Sequence, residues 1–175
     1  VFESNGDTWT SIDVDSSNNP HIAYSYYNLK YASRDQSGQW LTEFVLCSGG
    51  EDCSYADEGR YLSLKLDSED HPHIIYNGGW YGGNGGKDIK HTYKDETGWN
   101  TEYAVENGGF IEKSLAIDTF DNLYVTYYDV SLQILGYMFK DSTGWHTLPS
   151  DVDPGAIPGV ISGEPFVVDY NDGLP

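Results

Sequence analysis

Only two arginines, Arg34 and Arg60, occur in this chain, and its thiols are confined to Cys47 and Cys53. So few guanidinium groups cannot assemble the bidentate arginine cluster that grips a substrate carboxylate. Lysine and arginine together number 9 against 28 acidic residues, for a net charge of −19 with histidine neutral. A field of that sign repels nucleic acid and anionic membranes, and neither is expected as a partner. No apolar run approaches the ~18 residues of a membrane helix, so no membrane insertion is expected. His and Cys never fall at zinc-ligand spacing, and helical periodicity nowhere lasts more than a turn.

What is plentiful is aromatic: 15% of the 175 residues, with 15 Tyr and 5 Trp. They fall in a repeat. VDSSNNPHIAY at 14–24, LDSEDHPHIIY at 66–76 and IDTFDNLYVTY at 117–127 align, and VDYNDGLP at 168–175 starts the pattern again. Asp15, Asp67, Asp118 and Asp169 are thereby in register, spaced by 52, 51 and 51 residues. A fixed period in this range signals a repeat architecture. Each unit carries four alternating segments, the third being LKYASRD, IKHTYKD or LGYMFKD and the fourth opening on Trp40, Trp99 or Trp145. Period-two alternation rich in Tyr, Ile, Val and Thr predicts strands, the first unit's near 9–15, 20–26, 29–35 and 40–46. The fold class expected is all-β, a β-propeller of four-stranded antiparallel blades. The organisation expected is one propeller segment over 1–175, with repeats at about 9–60, 61–112 and 113–163 and a partial fourth at 164–175. Closed propellers have about four to eight blades, so further blades are expected from the same polypeptide or from a self-associating copy.

The Asp-Ser-x-Asn clusters are the hairpins between first and second strands, where Asp and Asn bond their own backbone and tolerate left-handed positions. The hairpin between third and fourth strands also recurs, as RDQSGQW, KDETGW and KDSTGW. These stretches resemble the Asp-box (BNR-like) repeat of secreted bacterial and archaeal β-propellers, whose pattern is Ser-x-Asp-x-Gly-x-Thr-Trp. Ser33 fills the leading position in the first unit alone. The resemblance implies a fold and a structural turn, with no activity attached. A sialidase-type site would need an arginine triad that this segment lacks.

Chemistry is expected on the face carrying the second-to-third connections. Tyr26, Tyr27, Trp80, Tyr81 and Tyr128 would form an aromatic rim there, with Asn28 and Asp129 as polar partners. Flat rings beside amide and carboxylate groups suit sugars. The leading expectation is a binding or adhesion module for a glycan or another cell-surface ligand. A polysaccharide lyase or glycoside hydrolase is the alternative, and a self-assembling structural unit is the third reading. No catalytic residue can be assigned, and the chain reads as a binder before an enzyme. His21 and His73 share a repeat position and read as packing between blades. His71 and His91 belong to the middle repeat alone and could pair with Tyr76 or Tyr93 for acid–base work. His146, beside a hairpin, reads as surface.

No cofactor is expected. Calcium is the one ion that Asp13, Asp15 and Asn18, or Asp67 and Asp70, would suit, and turn geometry alone accounts for them. Cys47 and Cys53 flank a Gly-Gly turn in LCSGGEDCSY, a spacing that a local disulfide can close in an oxidising compartment. With it goes an extracellular or cell-surface location. The opening VFES, without Met, reads as processed or excerpted.

Overall fold

Residues 8–26, 28–45, 59–78, 88–106 and 110–147 are described by a computed structural model of the chain. Twelve strands and no helix occur among them. The first sheet contains β1 (Trp9–Val14), β2 (Pro20–Tyr26), β3 (Asn28–Arg34) and β4 (Trp40–Phe44). The second contains β5 (Arg60–Leu66), β6 (Pro72–Gly78), β7 (Asp88–Asp95) and β8 (Gly98–Val105). The third contains β9 (Phe110–Ile117), β10 (Leu123–Asp129), β11 (Ile134–Asp141) and β12 (Gly144–Thr147). Each sheet is an antiparallel meander in sequence order. Cys47, Cys53 and residues 164–169 lie outside the described residues, as does the expected disulfide.

The repeated Asp residues close the hairpins as the sequence predicts. Asp15 Oδ1 accepts the N–H of Ser17 (2.9 Å) and of Asn19 (2.7 Å), and Asp67 and Asp118 repeat the pattern. Asn18, Asp70 and Asp121 take the left-handed position at φ 64°, 64° and 61°, which their short polar side chains tolerate. In the other hairpins Asp35, Asp95 and Asp141 each accept from the backbone and hydroxyl of Ser37, Thr97 or Thr143. The carboxylates once weighed for calcium are thus engaged by N–H and O–H donors of the chain itself. No cluster of three or more candidate metal ligands occurs among the described residues.

Sheets stack face to face around two cores. Leu29, Tyr31, Leu62, Leu64, Ile74 and Tyr76 fill the first interface. Ile75, Ile89, Leu115, Val125, Tyr127 and Met138 fill the second. Neighbouring residues Ile74 and Ile75 therefore serve different cores, which is why both parities of the middle strands are apolar. Ile12 and Val14, read as strand residues from their alternation, lie on the outward face of the first sheet and are 61% and 56% exposed.

Hydrogen bonds join the stack at regular intervals. Leu64 N donates to Ser11 Oγ (3.0 Å), and Leu115 N to Ser63 Oγ (3.1 Å). Ser16 donates through N and Oγ to the Asp70 carboxylate (2.8 and 2.6 Å), and Ser68 does the same to Asp121 (2.9 and 2.8 Å). At the far edge Lys94 Nζ meets Glu43 at 2.5 Å, and Lys140 meets Glu102.

One glycine in the second interface is fixed by sterics. A Cβ on Gly136 would sit 2.3 Å from the Tyr127 ring. That ring is buried and meets Phe110 edge-on at 4.8 Å. Gly136→Ala is expected to destabilise the protein by about 1–3 kcal/mol through overpacking, read as a lower urea midpoint. An unchanged midpoint would show that Tyr127 does not lie over this backbone.

Candidate functional site

The meander sends the hairpins closed by Asp15, Asp35, Asp67, Asp95, Asp118 and Asp141 to one end of the stack. The β2–β3, β6–β7 and β10–β11 connections and the starts of β1, β5 and β9 lie at the other. That second end is where the sequence places its aromatic rim. Tyr27, Trp80 and Tyr81 lie outside the described residues, and Tyr26 is described for its backbone as the end of β2. Tyr128 is exposed. Asn28 starts β3, with its Oδ1 shielded and without a partner among the described residues. Asp129 is buried, and its Oδ1 accepts the N–H of Ser131 (2.9 Å) and Leu132 (3.1 Å). It shapes its own turn.

The same end holds a row that sequence reasoning missed. Tyr61 and Glu112, 51 positions apart, have φ of 50° and 47°. Both mark breaks in register, β5 against β6 after Arg60 and β9 against β10 at Tyr127/Tyr128. A bulge of this kind re-aims a side chain, and a bulky residue in the left-handed region carries strain of order 1–3 kcal/mol. The Tyr61 ring lies 5.3 Å from Trp9, Arg60 stands over Trp9 at 5.5 Å, and Lys113 Nζ stands over Tyr61 at 5.4 Å. Lys113 takes the repeat position of Leu62, a core residue. Its amine is shielded from solvent with no hydrogen-bond partner among the described residues. Burial pushes its pKa down to about 7, against the pull of Glu112.

At the hairpin end of the second interface, the structure brings together His73, His91 and Tyr93. Their rings stack at 5.2–5.8 Å. A continuous chain runs through them. Asp67 Oδ2 lies 3.3 Å from His73 Nε2, His73 Nδ1 lies 3.0 Å from His91 Nε2, and His91 Nδ1 lies 2.8 Å from Glu102 Oε1. Lys140 and the Trp145 indole N–H also donate to that Glu102 oxygen. Burial drives the His91 pKa down to about 4 against the bond to Glu102, and burial lowers that of His73 as well. Partial burial opposes ionisation of Glu102, but the donors His91, Lys140 and Trp145 hold it at about 2.

Two neutral imidazoles carry two N–H groups, whereas this chain has three contacts that each need one. One of the three contacts is therefore left without a proton while both rings are neutral. Both nitrogens of His91 are engaged and its side chain is 1% exposed. A polymer cannot reach this ring, so the His/Tyr acid–base pairing weighed from sequence becomes a buried structural relay. His21 and Tyr31 occupy the corresponding positions in the first interface and bond each other directly. The ring contacts and hydrogen bonds of His21 and His73 join strands within their own sheets, whereas packing between repeats is the reading given to them from sequence. His71 contacts Asp67 and Glu69 (3.3 and 3.7 Å). His146 is more than surface: it bonds Asp141 and Thr143 (3.0 and 2.9 Å) and stacks on Phe139 at 4.7 Å, bracing its hairpin.

No family model and no curated protein matches the chain. Among solved structures, a fucose lectin from Kordia zhangzhouensis in complex with methyl-fucoside aligns with 80% of this chain and 97% of its own, at 16% identity and a TM-score of 0.47. An exo-1,5-alpha-L-arabinanase from a bovine ruminal metagenomic library aligns with 80% of this chain and 56% of its own, at 10% identity and a TM-score of 0.46. At such identity and overlap neither says what this chain binds; the all-β stack of four-stranded antiparallel sheets is what its own residues establish.

Proposed function

We propose that this chain is part of a secreted or surface-displayed β-propeller that binds glycans at the end carrying Trp9, Tyr61 and Tyr128. The observation that carries this reading is the left-handed bulge at Tyr61, repeated at Glu112. Strain at matching points of two inner strands, next to an aromatic pair flanked by Arg60 and Lys113, is the kind of local cost that folds retain where a ligand is met. Aromatic faces beside hydrogen-bonding groups are the chemistry of sugar recognition. Trp80 and Tyr81, in the connection between β6 and β7, extend the same rim in this reading. The cluster best equipped for proton transfer is buried at the other end, which favours binding over catalysis.

Tyr61→Gly tests the reading cleanly, because glycine accepts φ near 50° and removes only the ring. On a glycan array, the variant is expected to keep its fold and weaken binding roughly tenfold or more. Trp80→Ala combined with Tyr81→Ala is expected to weaken binding too. Undiminished binding by folded Tyr61→Gly would take this row out of the site. Polysaccharide cleavage by the wild type, lost in Glu112→Gln, would move the assignment to a carbohydrate-active enzyme.

A further inference from the structure

Several positions are closed inside the stack and open at its two ends. On the inner strands Leu64 and Leu115 are buried against the preceding sheet, whereas Ile12, at the same repeat position, is 61% exposed. On the third strands Leu29 and Ile89 are buried against the following sheet, whereas their equivalent Leu135 is 52% exposed. The tryptophan that opens each fourth strand follows the inner-strand rule. Trp99 meets Tyr31 of the preceding sheet edge-on at 5.3 Å and Trp145 meets His91 at 5.5 Å, while Trp40 is half exposed. Polar groups repeat the pattern. Ser11 Oγ accepts Leu64 N and Ser63 Oγ accepts Leu115 N, but Ser114, at the same repeat position, is exposed with no hydrogen-bond partner among the described residues. The outward face of the first sheet is thus the leading half of an inter-sheet contact. The outward face of the third is the trailing half.

We infer that these two faces bind each other between copies of the chain, the first sheet of one copy docking on the third sheet of another. Ile12 and Trp40 of one copy take the places that Leu64 and Trp99 hold inside the chain, over Leu135 and Tyr137 of the other. Ile12 N then donates to Ser114 Oγ. A second copy carries every element of the internal contacts at the right repeat position, which a partner of unrelated sequence would have to reproduce one by one. The contact is heterologous, so it closes into a ring or runs on without end. Two copies of three sheets make six, inside the range of about four to eight for a closed propeller. A closed dimer with both contacts made is therefore expected.

The hairpin end makes this contact weaker than the internal ones. Ser16 and Ser68 each donate twice to a carboxylate, of Asp70 and Asp121, whereas Thr119 would meet Asn18, whose amide has a single acceptor oxygen. Each copy also carries a net charge of −19, which opposes association. Copies held in this way come apart on dilution, and in the single chain the exposed Ile12 adds little to stability. Docking does not depend on glycan binding. A further sheet of the same polypeptide is the competing occupant, and it would leave the chain monomeric.

Sedimentation velocity on the 175-residue chain, from about 0.5 to 50 micromolar in about 0.15 M salt, reads the association. The expected result is a monomer–dimer equilibrium. Ile12→Arg spoils the leading face and Leu135→Arg the trailing face, and at these exposed sites each variant is expected to keep its fold by circular dichroism. Alone, each is expected to be monomeric throughout. Mixed in equal amounts they are expected to dimerise at the upper concentrations, more weakly than the wild type, because one intact leading face meets one intact trailing face. Trp40→Ala, a gentler change, is expected to raise the dissociation constant at least about tenfold, while Tyr103→Ala, exposed on the middle sheet, leaves it unchanged. A wild type that is monomeric throughout overturns the inference and gives both faces to another occupant. A mixture that stays monomeric overturns it too. So does a dimer that persists in either arginine variant alone, which would mean that like faces pair.

Discussion

Lowering the pH from 7 to 4 is expected to remove about 3 kcal/mol of stability through His91 alone. Its folded pKa of about 4 lies below the ordinary 6.5, so the unfolded chain binds this proton more readily than the folded one. Stability contributed by a group depressed in this way is fully present above pH 6.5 and is lost as pH falls toward 4. Roughly 2.5 units at 1.36 kcal/mol each give the figure. The groups facing the ring are His73, Tyr93 and Glu102 from its own sheet and Lys140 and Trp145 from the next. Burial is the largest cause, and the positive charges of Lys140 and of a protonated His73 add to it, while Glu102 pulls the other way. Urea midpoints at pH 7, 5.5 and 4 read the effect, and His91→Phe isolates it from the general relief of acidic repulsion. If the wild type and His91→Phe lose stability in parallel, the imidazole is not neutral and buried. Below pH 4 the loss should continue, as Glu102, held at about 2, takes up its own proton.

Ile74→Ala and Ile75→Ala are each expected to cost about 2–5 kcal/mol, as large-to-small changes at fully buried sites do. Adjacent residues of a strand that is buried on one face do not behave so, because one of the two would meet water. Equal sensitivity requires cover on both faces, which β6 receives from the first and third sheets. Ile12→Ala, on the outward face of the first sheet, is expected to stay within about 0.5 kcal/mol. Equilibrium urea unfolding of the three variants measures the contrast. A cost below about 1 kcal/mol for Ile75→Ala would mean that the second and third sheets are not packed in solution.

The strands and hairpins were legible because their causes are local. Period-two alternation marks a strand wherever it ends up, and Asp15, Asp67 and Asp118 bond amides two and four residues away. The repeat also told which residues are equivalent, so His21 and His73 could be placed at one position, where each bonds the third strand of its own sheet. The end-on row was hidden because the left-handed turns at Tyr61 and Glu112 arise from register breaks against the neighbouring strand, which no local pattern announces. One signal was present: Lys113 interrupts a position held by Thr10 and Leu62. Asp129 looked like a ligand partner from composition, yet its carboxylate serves Ser131 and Leu132. The reach from His91 to Glu102 depended on the pairing of β7 with β8, which the turn at Glu96 and Thr97 sets.

Each sheet is made from one unbroken stretch of chain, and the bonds that tie it to the previous sheet reach back about one repeat and no further. Synthesis at about 5–20 residues per second would complete a repeat of this length within roughly 3–10 seconds. A nascent sheet therefore finds its docking surface already folded behind it and waits for nothing downstream. Every docking step closes a loop of nearly the same size, so its entropic cost is nearly the same each time. Assembly on the ribosome would proceed as a series of equivalent additions, with one apolar face uncovered at the growing end for the time that one repeat takes to emerge.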